Sequence, residues 1–247
     1  MSNPRPTPFA PMYLLADSQL LFWKDADQVF LQRVREHLDS DSPRAAYIGA
    51  SNGDAREFYN IFEAAMAGIG VTHCRMITSS FDAEDQSFLD SADIVLLAGG
   101  DVEAGWKIFT ESKMKQSIEQ RYAAGAVLIG VSAGAMQLGL YGIVELEQTS
   151  HRLVDTFKFV PFVIAVHEER RDWESLNSII SMLEGAASGI GISSGAGIIY
   201  HPDGSLEAIR TPASMFSIVG AEMKRSLILP GASAGETPGT DEDTAQT

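Results

Sequence analysis

Apolar residues along this chain fall in short, nearly continuous runs, separated by longer stretches in which charged and apolar positions recur with helical spacing. The runs at residues 12–16, 45–50, 71–76, 94–98 and 126–131 predict strands covered on both faces, because a strand with one wet face would alternate apolar with polar positions. The intervening segments 26–38, 55–67 and 102–122 predict helices, the second of them capped by Asp54. Strand and helix in alternation is the rhythm of crossovers in a parallel sheet. In the second half, 162–166 predicts a strand and 172–183 a helix. Apolar pieces at Ile190, 195–200 and 206–209 then lie around Pro202-Asp203-Gly204, which reads as a β-hairpin. The fold class this predicts is α/β: three layers around a mostly parallel, doubly wound sheet.

The 247 residues suit a single α/β domain over 12–231, after a flexible proline-rich lead at 1–11. From Ala232 onward Gly, Thr, Asp, Glu and Ala dominate without periodicity, so 232–247 is expected to be a disordered tail. Lys and Arg number 18 against 33 Asp and Glu; the net charge of −15 opposes nucleic acid and anionic membranes, and suits solubility or a cationic substrate. The one cysteine, Cys74, cannot close an internal disulfide, and no Cys/His cluster has zinc spacing. The lead lacks the basic start and apolar run of a signal peptide, and no apolar stretch approaches the roughly 20 residues a bilayer needs. A cytoplasmic protein without metal or organic cofactor is expected.

The segment from Gly125 to Met136 changes the picture from fold to chemistry. A buried strand runs into Gly130-Val131-Ser132-Ala133-Gly134 and then into a helix-compatible stretch, which satisfies the Gly-x-Ser-x-Gly elbow in its required context. Such a serine sits on a strained bend with its hydroxyl exposed, and a Cβ at either flanking glycine would collide with a neighbouring strand or helix. The following helix aims free N–H groups at the site, so the Ala133 amide is placed to receive an oxyanion. A bare tight junction is the alternative. The preceding predicted strand ends in Ala98-Gly99-Gly100-Asp101, and adjacent parallel strands would bring that second glycine turn to the same crevice.

A serine nucleophile requires a base, normally histidine, and the chain holds five. His37 falls in a predicted helix, His73 in a predicted strand, and His151 and His201 in predicted loops. His167 follows the apolar run 162–166, at the carboxyl edge of a strand, where sites in open α/β sheets gather.

Gly130-x-Ser132-Ala133-Gly134-Ala135 together with Gly99-Gly100-Asp101 resembles the peptidase E and cyanophycinase family of serine peptidases. Tyr13-Leu-Leu-Ala-Asp17-Ser18 is similar to that family's opening Leu-Leu-Ser-Asn-Ser, Tyr47-Ile-Gly-Ala-Ser51 falls at its second strand, and Pro161 before His167 resembles its Pro-His segment. The resemblance implies a flavodoxin-like sheet related to class I glutamine amidotransferases. It implies Ser132 as nucleophile, His167 as base, and an oxyanion hole of the Gly100 and Ala133 amides. Counted from the serine, the acid of peptidase E lands on Glu147; counted from the histidine, on Glu145. Cyanophycinases take theirs from Gly-Ile-Gly-Ile-Asp-Glu, where this chain has Gly189-Ile-Gly191-Ile-Ser193-Ser194. Glu168 stands where the family usually has Phe. Arg170 and Arg171 match its arginines after the histidine and would suit a substrate carboxylate; Asp101 and Asp17 would suit an amino group, or cap helices.

The implied activity is hydrolysis of small aspartyl-type peptides through an acyl-enzyme. The alternatives are a cyanophycinase-like exopeptidase on β-aspartyl-arginine material, a non-catalytic binding protein on the same fold, and an esterase of the α/β-hydrolase type using His201. The expected partner is a small peptide substrate, with homodimerisation compatible, and with neither nucleic acid nor membrane.

Overall fold

A computed structural model describes residues 9–25, 27–145 and 151–231. The chain begins with β1 (Met12–Leu15), a 3-10 turn at Ser18–Phe22, a ribbon of β2 (Lys24–Asp25) with β3 (Gln28–Val29), and α1 (Gln32–Arg35). Then follow β4 (Arg44–Ile48), α2 (Arg56–Ala67), β5 (His73–Ile77), α3 (Ala83–Leu89) and β6 (Ile94–Leu97). Next come α4 (Val102–Glu111), α5 (Met114–Ala123), β7 (Val127–Val131) and α6 (Ala133–Leu138). The second half holds β8 (Tyr141–Glu145) paired with β9 (His151–Asp155), β10 (Phe162–Val166), α7 (Glu174–Met182) and β11 (Ser188–Ile192). It ends with β12 (Gly197–Tyr200), β13 (Leu206–Ile209), β14 (Ala213–Val219) and β15 (Glu222–Ile228).

Seven strands form the main sheet in the order β13-β12-β1-β7-β6-β4-β5. β1, β7, β6, β4 and β5 run parallel, and the β12–β13 hairpin extends the β1 edge antiparallel. Alternate residues of the parallel strands enter two cores. Met12, Leu14, Ile48 and Leu97 face one with Trp106 and Phe109 of α4 and Leu138 of α6; Tyr13, Leu15, Tyr47 and Leu96 face the other with Phe62 and Met66 of α2. Burial on both faces is why the runs read as continuously apolar. From β4 to β5 the chain steps outward; it then returns past β4 to β6 and on to β7. Right-handed crossovers require the helices to change face at that reversal, and they do: α2 packs on one side, α3, α4 and α5 on the other. The reversal opens a crevice at the carboxyl ends of β4 and β6, where ligand sites of such sheets lie.

Four expectations give way. The helix over 26–38 is reduced to α1, because Leu20, Leu21, Phe30, Leu31 and Val34 are each buried against the second core and the segment folds as turn, ribbon and a single helical turn to deliver them there. The helix over 102–122 is two, broken where Ser112 Oγ donates back to Ile108 O (2.8 Å) and accepts from Met114 N (3.2 Å). Asp54 does not cap α2: it has positive φ and accepts from Ser79 N (2.9 Å), while Asn52 Oδ1 accepts from Ala55 N (3.2 Å). The strand at 162–166 and Ile190 belong to a second sheet, β10-β11-β14-β15, which α7 covers through Trp173, Leu176 and Ile180. Its β15 is exposed at nearly every residue and so carries no apolar alternation to announce it. The predicted hairpin around Pro202-Asp203-Gly204 is present as β12–β13. The tail at 232–247 and most of the lead lie outside the described residues.

The β7–α6 junction leaves no room for side chains at its glycines. A Cβ on Gly134 would come within 2.1 Å of Leu97 O in β6, and one on Gly130 within 2.6 Å of the Ala135 amide nitrogen. Neither neighbour is a flexible side-chain tip. Gly134→Ala is expected to cost at least about 3 kcal/mol, read from the urea midpoint of unfolding. Elsewhere, Arg33 of α1 forks onto Glu207 of β13 with bonds of 2.7 and 2.8 Å. That arginine, then His201, holds the Glu207 carboxyl below its ordinary range against the opposing effect of burial. A lowered carboxyl stabilises the fold above the ordinary carboxylate range, and the contribution disappears as pH falls through the lowered value. Both partners are partly wet, so solvent screening keeps the pair to about 1 kcal/mol. The Tm deficit of Glu207→Gln should therefore be largest at neutral pH and vanish in acid.

Candidate active site

Ser132 follows β7 directly and is the N-cap of α6, with φ 50° and ψ −110°. Its amide donates to Leu15 O of β1 (2.8 Å), and its hydroxyl makes no capping bond, so the strained bend leaves the oxygen available. The turn after β6 lies against it: a Cβ on Gly99 would be 3.2 Å from Ser132 Cβ. Gly100 has φ 134°, a region other residues avoid, and a Cβ there would be 2.0 Å from Ser51 O. Asp101 N donates to that same carbonyl (2.7 Å). Behind these loops the fully buried Gln137 of α6 donates to Val102 O (2.9 Å) and Ser51 Oγ (3.0 Å), tying three segments together. Among the described residues the Gly100 and Ala133 amides have no acceptor.

His167 follows β10 directly with φ 63°, its amide donating to Ile192 O (3.3 Å). It is exposed and lines one cavity with Ser132. No hydrogen bond joins the two side chains among the described residues; such contacts often tighten only with substrate. Its Nδ1 meets Ser194 Oγ at 3.1 Å. The Ser194 amide in turn donates to Glu169 Oε1 (3.3 Å), and Glu169 Oε2 is buried without a partner. Burial pushes the Glu169 carboxyl up, but bonds from its own amide and from the hydroxyl and amide of Ser194, with the charge of His167, outweigh it and hold the carboxyl below its ordinary value.

Of the two expected acids Glu145 alone falls among the described residues, where it lines a second cavity with His167. Glu145 binds Arg171 and accepts from Ser175 Oγ (3.4 Å), so its carboxylate faces α7 rather than the imidazole nitrogen; the Arg171 bond chiefly holds it low. Glu147 lies outside the described residues. Glu168 is buried, bound by Arg171 (3.1 Å) and by Leu176 N at the start of α7 (3.4 Å), and acts there as a helix anchor. Arg171 is thus shared by two carboxylates, and Arg170 is exposed; neither lines the cavity of Ser132. Asp101 caps α4 through Ala104 N (2.9 Å), is exposed and does not line the cavity. Asp17 does line it, with Oδ2 accepting from Gly195 N (2.6 Å) beside Ser194. His201 sits past the amino-edge residue Met12, next to Glu207 (3.2 Å) and opposite the serine, which removes the esterase alternative built on it.

The cavity holds about 250 Å³ at the carboxyl ends of β1, β7, β6 and β4. Besides Asp17, Ser132 and His167 its wall is mostly apolar, with Leu21, Phe58, Ile61 and Phe62 opposite the glycine turn. Glu169 and Gln137 carried no sequence signal: a carboxylate two residues past a histidine and an amide inside a helix mark nothing by spacing. Among the described residues no group of three or more His, Cys, Asp or Glu is placed to hold a metal, and no helix is long and apolar enough to cross a membrane.

The model of peptidase family S51 matches residues 14–208. Among solved structures the fold is similar to a peptidase from an acI-B1 Actinobacterium, with TM-score 0.67 and 14% identity over 89% of this chain and 95% of that one. It is also similar to a putative peptidase E protein from Listeria monocytogenes EGD-e, with TM-score 0.59 and 16% identity over 82% of this chain and 98% of that one. No curated protein matches the sequence. With the family match spanning the elbow, the glycine turn and the histidine, the chain belongs to peptidase family S51 and is a serine-type peptidase.

Proposed function

We propose that this peptidase cleaves small peptides at the cavity beside Ser132, with Ser132 as nucleophile, His167 as general base, and the Gly100 and Ala133 amides as the oxyanion hole. The observation that carries the reading is the Ser132 hydroxyl, held out on a positive-φ bend in a cavity that also receives His167. Ser132 Oγ attacks the scissile carbonyl carbon while His167 Nε2 takes the hydroxyl proton, and the new oxyanion is received by the two amides. The C–N bond then breaks, the imidazolium proton passes to the leaving amine, and an acyl-enzyme remains. Water attacks the ester, gives its proton to His167, and the proton returns to Ser132 Oγ as the acid product leaves.

Nε2 can accept a proton only in the tautomer that carries hydrogen on Nδ1, and the Ser194 oxygen at 3.1 Å is an acceptor for that hydrogen. Ser194 and Glu169 are positioning residues in this scheme. The hydroxyl orients the ring, and the carboxylate behind it supplies the negative charge that steadies the imidazolium. They take the part the resemblance gave to Glu145 or Glu147. The aspartyl and β-aspartyl-arginine specificities suggested by resemblance gain no support from the cavity, since neither Arg170 nor Arg171 lines it and Arg171 is held by Glu145 and Glu168. One observation favours the non-catalytic alternative: among the described residues the imidazole meets a hydroxyl and no carboxylate directly.

Labelling by a fluorophosphonate probe decides between them, followed as the second-order rate at Ser132 by mass spectrometry. His167→Ala should slow labelling about a thousandfold, and Ser194→Ala and Glu169→Gln about 10- to 100-fold. Ser194→Asp, which sets a carboxylate against Nδ1, should restore most of the loss seen in Ser194→Ala, a rescue that a purely structural role for the serine does not predict. An unlabelled Ser132 in the native protein favours the binding protein.

A further inference from the structure

The apolar part of the cavity wall beyond Ser132 is built from Leu21 in the 3-10 turn, Phe58, Ile61 and Phe62 on α2, and Leu96 and Val131 at the strand ends, while Ser18, Tyr47 and Asn52 add polar groups, the Asn52 amide donating to Tyr47 Oη (2.8 Å). Phe58, Ile61 and Phe62 stand at helical spacing that puts them side by side on one face of α2. Phe62 is buried, whereas Phe58 is 45% and Ile61 36% exposed. Large apolar side chains left open at the mouth of a catalytic cavity provide area that a ligand can cover. Among the described residues no lysine or arginine lines this space, and the carboxylate of Asp17 does. A carboxylate entering it would lose its water, find no cation, and face Asp17.

Resting on the reading that Ser132 is the nucleophile, we infer that the residue donating the scissile carbonyl carries an apolar side chain, of the leucine, methionine or phenylalanine class, seated against Leu21, Phe58 and Ile61. Aspartate is disfavoured at that position, because the lining sets Asp17 against its carboxylate and, among the described residues, holds no lysine or arginine to pair with it. The volume of about 250 Å³ is below the usual range for a drug-sized ligand and suits one amino-acid residue, so selection acts at that residue and not along an extended polymer.

The test uses two N-acetyl diphenyl aminoalkylphosphonates, one with the side chain of leucine and one with that of aspartate. In each, Ser132 Oγ forms a bond to phosphorus, a P–O bond to phenoxide breaks, and the serine proton leaves through His167 to the phenoxide. The leucine analogue should phosphonylate Ser132 about 30-fold faster or more, as expected when a charge is buried without a partner. Ile61→Arg, which puts a cation at the exposed rim, should lower that ratio about tenfold or more. Equal or faster reaction of the aspartate analogue overturns the inference, as does a generic fluorophosphonate labelling Ser132 while neither analogue reacts. Failure of the generic probe as well would fall on the nucleophile assignment instead.

Discussion

The active centre depends on the lack of space between β7, α6 and β6. α6 begins so close to the end of β6 that the backbone at Gly134 nearly touches Leu97 O, and the chain can pass from β7 into α6 only by forcing Ser132 into positive φ. A residue in that conformation costs on the order of 1–3 kcal/mol and persists only where its surroundings overdetermine it. Here they do: Leu15 O holds its amide, both strands flanking β7 are fully packed, and Gln137 fixes the turn of α6 against Val102 and Ser51. The serine is exposed because everything around it is full.

The parts of this arrangement governed by local rules were legible in the sequence. Five apolar runs marked the parallel strands, Gly-x-Ser-x-Gly marked the elbow with the reason for each glycine, and the run ending at Val166 delivered His167. What escaped was set by tertiary contacts. The segment 26–38 has the composition of a helix, yet burial of Phe30 and Leu31 decides its path. β15 is exposed along nearly its whole length and held by pairing with β14. Glu145 is an acid candidate by count alone, and its pairing with Arg171 is a tertiary contact that no count reveals.

Electrostatically the site is spare. Among the described residues the imidazole of the proposed base meets an uncharged hydroxyl, with Glu169 one step further back, so the negative charge near His167 is diluted by distance and by solvent at this exposed edge. The strongly acidic composition adds a general field of the same sign, which assists a cationic transition in the ring and disfavours anionic ligands alike. Both effects draw on the same surplus of carboxylates.

The proposed nucleophile and the proposed base follow strands of different sheets. Ser132 follows a strand of the seven-stranded sheet, while His167 follows β10, whose strand partner among the described residues, β11, also carries the backbone acceptor for the His167 amide. The two sheets meet through one apolar seam, where Ile164, Ile190 and Ile192 lie with Leu128, Ala135 and Leu138. The spacing of the two proposed partners therefore depends on that hydrocarbon layer, and a methyl group gained or lost deep in the seam would shift it without touching a single polar atom.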